Sequence, residues 1–92
     1  MILIREVFIA KPGMASKLAK LMREVTAKDG TRVMTDLASD FNQVVMETEV
    51  KDLADFDRRM QEYAKDKSMQ EKMKGYTDMY LTGRREVYQI LQ

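Results

Sequence analysis

The sequence predicts an α+β fold, a ferredoxin-like βαββαβ plait with one antiparallel sheet in the order 4-1-3-2. Three observations predict it. The first is a strand at Asn42 to Val50, in which Val44, Met46, Thr48 and Val50 alternate with Gln43, Val45, Glu47 and Glu49. The second is a pair of stretches with helical apolar spacing, Met14 to Val25 before that strand and Leu53 to Ala64 after it. The third is the order strand, helix, strand, strand, helix, strand, which two right-handed crossovers interleave in only one way without crossing. Both helices then cover one face of the sheet and leave the other open.

Taken in order, Ile2 to Ile9 is β-branched, apolar and of strand length. Its faces, Ile2, Ile4, Glu6, Phe8 and Leu3, Arg5, Val7, Ile9, each carry three apolar residues and one charge. Such a strand is central and covered on both sides, and composition leaves open which face meets the helices. Lys11-Pro12-Gly13 ends it, and Pro12 suits the first turn of a following helix. That helix has Met14, Leu18, Leu21, Met22 and Val25 on one side, with Lys17, Lys20, Arg23 and Glu24 between them. Asp29-Gly30 closes the segment.

Arg32 to Ala38 reads as the second strand, and Ser39-Asp40-Phe41-Asn42 as the hairpin turn into the Asn42 to Val50 strand. Asp52 caps the second helix, and Asp55 favours its positive end. Leu53, Phe56, Met60, Tyr63 and Ala64 form its apolar side; Arg58, Arg59, Gln61 and Glu62 face water. Ser68 and Glu71 have the form of a capping box and start a short third helix with Met69, Met73 and Tyr76, weakened by Gly75. Thr82-Gly83 turns the chain into the last strand, Arg84 to Leu91. Arg84, Glu86, Tyr88 and Ile90 lie on one of its faces and Arg85, Val87, Gln89 and Leu91 on the other.

Ninety-two residues make one domain, 1–92, near the lower end of what folds alone. The absence of cysteine excludes disulfides, thiolate metal sites and cysteine nucleophiles. The absence of histidine removes the commonest general base, the usual haem ligand and the commonest zinc ligand, so no metal and no cofactor is expected. A net charge of +1 gives no long-range attraction to nucleic acid or anionic lipid. RNA-binding plaits also need stacking aromatics on the central strands, where this chain has Gln43, Val45, Glu47 and Glu49. No apolar run approaches the ~20 residues of a membrane span. The charge pair Arg5-Glu6 interrupts the stretch where a signal peptide needs its apolar segment, so a cytoplasmic protein is expected.

The open sheet face is the functional question. Each strand offers it apolar side chains beside charges, whichever parity it adopts. An apolar patch of this kind on a small protein marks an interface, so a homodimer packed sheet to sheet is expected. Charges near its middle must pair or line a wet pocket.

At this point the sequence resembles the dimeric α+β barrel superfamily, which includes small antibiotic-biosynthesis-type monooxygenases and NIPSNAP-like domains. The resemblance spans nearly the whole chain. It rests on the element order, Lys11-Pro12-Gly13 after the first strand, the helical Ser68 to Tyr76 insert, and Gly83-Arg84-Arg85-Glu86-Val87-Tyr88 entering the last strand. The resemblance implies a dimer enclosing a small cavity. Cofactorless monooxygenases of the family use asparagine, tryptophan and sometimes arginine or histidine. This chain has neither tryptophan nor histidine, and its sole asparagine, Asn42, sits at the hairpin turn, so no catalytic residue is carried over. The haem-degrading branches need a histidine and fit badly.

The candidate ligand-binding residues are Arg5, Glu47, Glu49, Arg84, Glu86, Tyr76, Tyr80 and Tyr88. Glu47 and Glu49 share one strand face roughly 7 Å apart, as an acid/base pair or as salt-bridge partners of Arg5, Arg84 or Arg85. Those arginines could equally orient a carbonyl or anionic ligand with their planar donor forks. Tyr76 and Tyr80 could lid the cavity mouth or simply anchor the insert. Two readings follow: a small organic ligand held between sheet and partner, with cofactor-independent oxygenation or isomerisation as the chemistry, or an assembly module whose sheet charges only set dimer register. The nine methionines read as ordinary packing residues.

Overall fold

A computed structural model describes residues 1–91. Its elements are β1 (Ile2–Ala10), α1 (Ala15–Val25), β2 (Arg32–Thr35), β3 (Gln43–Val50), α2 (Leu53–Lys65), α3 (Lys67–Lys72), a 3-10 turn (Tyr76–Asp78) and β4 (Tyr80–Gln89). The sheet runs β2-β3-β1-β4, the expected 4-1-3-2 order counted from the other edge, and the three neighbouring pairs are antiparallel. This is the ferredoxin-like plait. Among the described residues, no helix is long and apolar enough to cross a membrane.

The helices settle the parity of β1. The core joins Leu18, Ala19 and Met22 of α1 to Ala10, Val44 and Met46 of the sheet. The even-numbered residues of β1 and β3 therefore face the helices, and Leu3, Arg5, Val7 and Ile9 lie on the open side. Val7 and Val45, paired across β1 and β3, are buried on that open side.

Several boundaries differ from expectation. β2 stops at Thr35 rather than Ala38 because Asp36 turns the chain: its carboxylate accepts from Ser39 Oγ at 2.6 Å and Gln43 N at 3.1 Å. The loop that follows holds Phe41 and Asn42 at positive φ and leaves Leu37 and Phe41 exposed. α3 is capped by Asp66, which accepts from Met69 N at 3.1 Å, not by Ser68. It ends at Lys72, and Gly75, at φ 83, takes a left-handed turn that a side chain would strain. Pro12 sits in the turn before α1 rather than in its first helical turn.

The largest difference is at β4, which begins at Tyr80, so Thr82-Gly83 is strand and not turn. Gly83 lies opposite Phe8, and a Cβ there would stand 3.0 Å from Phe8 Cδ1. The glycine makes room for an aromatic ring.

The Asp52 cap of α2 forms as expected, its carboxylate accepting from Asp55 N at 2.8 Å. Its apolar side is not sealed. No residue of α2 is buried, and Leu53, expected to pack, is 59% exposed.

Candidate functional site

The unsealed side of α2 and the open face of the sheet make two separate places where chemistry-bearing side chains meet.

On the open face, strand register sets Arg32, Glu47, Arg5 and Glu86 in one row across all four strands. The row alternates in sign. Arg32 Nη2 donates to Glu47 Oε1 at 2.5 Å, and Arg5 Nε lies 3.7 Å from Glu47 and 3.8 Å from Glu86. Glu86 also accepts from Arg84 Nε at 2.8 Å and from Tyr88 Oη at 3.1 Å. The Arg84 guanidinium, then the Tyr88 hydroxyl, hold the Glu86 carboxyl below its ordinary range. Arg5 Nε is buried yet makes no hydrogen bond among the described residues, so the centre of the row carries an unsatisfied donor. Above the row stand Met34, Val45 and Val7, and below it Glu49, Leu3 and Tyr88.

On the helix side, α2 and α3 stand off the sheet and leave a cleft of about 400 Å³. Its floor is Ile4, Glu6, Phe8, Met46, Thr48 and Val50; its roof is Phe56, Met60, Tyr63 and Ala64 of α2 with Met69 and Met73 beyond. Most of this wall is apolar, and five of its residues are methionines, whose flexible thioethers adapt to irregular shapes.

The charged side chains of the cleft have partners. Glu6 and Arg85 face each other across β1 and β4, with Arg85 Nε donating to Glu6 Oε1 at 2.6 Å. The Arg85 guanidinium stacks over the Phe56 ring, 5.1 Å from its centroid. At the other end the Tyr63 hydroxyl donates to Asp29, tying α2 to the end of the loop after α1. Burial, then that hydrogen bond, push the Tyr63 phenol up to about 12. Thr31 and Thr48 share a hydroxyl contact of 2.5 Å. Tyr76 completes the wall near Glu6 and Arg85; burial raises its phenol first, and the neighbouring Tyr80 raises it further.

The expected site residues thus divide. Arg5, Glu47, Glu49, Arg84, Glu86 and Tyr88 share the open face, where Glu49 is exposed and makes no ion pair among the described residues. Glu47 pairs with Arg5 and Arg32 rather than with Arg84 or Arg85. Tyr76 reaches the cleft, whereas Tyr80 stacks behind it on Phe8 at 4.9 Å between centroids. Sequence reasoning did not single out Glu6, Phe56 or Tyr63 as site residues. The signal for Glu6 was its charge on a strand face otherwise made of Ile2, Ile4 and Phe8. Among the described residues no group of three or more acidic side chains is placed to hold a metal ion.

Comparison with known proteins places the architecture. No protein-family model and no curated protein matches the sequence. Solved structures do match. A NIPSNAP domain protein from Burkholderia xenovorans superposes with a TM-score of 0.84 at 12% identity, over 99% of this chain and 95% of that one. A NIPSNAP family protein from Agrobacterium tumefaciens gives a TM-score of 0.84 at 17% identity, over 96% and 90% of the two chains. A proposed antibiotic biosynthesis monooxygenase from Deinococcus radiodurans gives 0.72 at 11% identity, over 100% and 94%. The chain therefore has the α+β fold of NIPSNAP domain proteins and of this monooxygenase-like structure, as the resemblance to the dimeric α+β barrel superfamily implied.

Proposed function

We propose that this protein is a homodimer joined through its open sheet face, and that each chain binds a small organic molecule in the cleft between the sheet and α2. The observation that carries the reading is the cleft itself. At about 400 Å³ it lies within the size range of small-molecule pockets, and its wall is largely apolar with a few fixed polar groups. The site moves from the sheet–partner interface, where the sequence suggested it, to the opposite side of the sheet.

The open face supports the other half of the reading. The middle of its alternating row of charges holds a buried Arg5 Nε that finds no hydrogen bond among the described residues. A second copy would bring a further set of carboxylates and arginines to the same row. In this arrangement Glu47 and Glu86 set dimer register, the role that the non-catalytic alternative gave them. Arg5→Glu would place three carboxylates together at the centre of the face, and like-charge contacts in an interface cost several kcal/mol. The expected result is a monomer by sedimentation, with the circular dichroism of a folded chain. An unchanged dimer would remove this face from the interface.

The likeness to a proposed antibiotic biosynthesis monooxygenase supports oxygenation as the chemistry of the cleft. The reactive groups lining it are carboxylates, guanidinium groups and phenols. Native mass spectrometry of protein from its expression host tests binding and assembly together. A dimer that carries added mass, lost in Ala64→Trp where the larger side chain fills the cleft, is the expected outcome. A dimer that takes up no compound from a panel of small aromatic molecules would leave only the assembly reading.

A further inference from the structure

We propose that Glu6 is the recognition residue of the cleft, accepting through its Oε2 a hydrogen bond from the hydroxyl or N–H of an uncharged, largely apolar ligand. The inference rests on the cleft being a ligand site and adds the chemistry of what it takes.

The geometry of one ion pair carries it. Arg85 Nε donates to Glu6 Oε1 at 2.6 Å, and Arg85 Nη2 lies 2.5 Å from the same oxygen. Both contacts fall on Oε1. Among the described residues no hydrogen bond reaches Oε2, although a carboxylate has about four acceptor positions. The two residues are register partners on neighbouring strands, and Arg85 is further held by Phe56. The unused acceptor therefore belongs to a fixed group in the cleft floor, next to Tyr76.

Charge pairing decides what can meet that acceptor. Arg85 is neutralised by Glu6, and Arg59, the other guanidinium of the wall, lies 3.5 Å from Asp55. A carboxylate or phosphate would find no unpaired cation and would face Glu6. An ammonium would lose its hydration in an apolar wall and compete with Arg85 for one carboxylate. A neutral molecule with one donor group satisfies Oε2 and leaves its apolar body to the methionines.

The test uses naphthol, its methyl ether and naphthoate, which share one ring system and differ in donor and charge. Their binding to the full chain is measured by calorimetry. Naphthol is expected to bind at least ~10-fold tighter than the ether, the scale of a hydrogen bond to a charged group. Naphthoate should bind weakest. In Glu6→Gln the advantage of naphthol over the ether should fall to less than ~3-fold, and naphthoate should gain, because Arg85 loses its neutralising partner. Equal binding of naphthol and its ether to the unaltered protein would overturn the role of Glu6 while leaving the cleft as a site. So would tightest binding of naphthoate. Binding of none of the three would overturn the cleft reading and this inference with it. The ranking in the unaltered protein decides the matter even if the variant does not fold.

Discussion

Truncation of Leu18 and of the α2 side chains should have very unequal effects, because the core lies under α1 and the cleft lies under α2. Leu18 is 0% exposed and packs in the central cluster with Met22, Val44 and Met46. Leu18→Ala removes buried methyl groups and leaves a cavity, a change of about 3–4 kcal/mol. A domain of 92 residues has a total stability of about 5–14 kcal/mol at typical per-residue values. The variant should therefore lose about a fifth or more of it and melt roughly 15–25 °C lower. Leu53 is 59% exposed, and Leu53→Ala should change stability by less than about 0.5 kcal/mol. Met60, 36% exposed and facing the cleft, should cost no more than about 1 kcal/mol as alanine. Urea titrations of the three variants provide the comparison. If Met60→Ala were as damaging as Leu18→Ala, α2 would close onto the sheet in solution, and the cleft would not exist as a site.

Asp66→Ala should cost about 1 kcal/mol through loss of the α3 cap, whereas Ser68→Ala should be nearly neutral; denaturant midpoints separate them. Gly83→Ala should destabilise by about 1–2 kcal/mol, because the new Cβ crowds a Phe8 ring already stacked on Tyr80; a stabilised variant would mean that the ring can yield. Tyr63 has its phenol raised in the folded chain, so its contribution to stability is complete below pH ~10, the unfolded value, and is lost as pH rises towards about 12. Tyrosinate absorbance should show a late ionisation near pH 12 that Tyr63→Phe removes.

The architecture was readable because local signals agreed with one another. Val44, Met46, Thr48 and Val50 alternate as a covered strand must, and Asp52 caps α2 where the apolar spacing begins. Where the reading slipped, a residue with two meanings was given the local one. Gly83 looks like a turn, but its partner across the sheet is Phe8, and no window of sequence shows that pairing. Asp36 looks like a polar position in a strand until its carboxylate binds Ser39 and Gln43. Ser68 with Glu71 matches a capping box, but Asp66 lies two residues upstream and reaches Met69 N first.

The site was harder to read for a reason that also bears on function. A strand with one charge on each face gives no parity, so Arg5 and Glu6 were equivalent until the helices chose a side. That choice sends Arg5 to a row of opposite charges on the open face and Glu6 to a single guanidinium in an apolar cleft. Charges in the row compensate one another, which suits an interface and leaves little for a ligand. Among the described residues, the charge in the cleft keeps one acceptor free. On the proposed reading the two faces of β1 divide the work: Arg5 would meet the partner on one side and Glu6 the ligand on the other. Strand alternation makes that division possible, and it means that a substitution at Arg5 and one at Glu6 should affect assembly and binding separately.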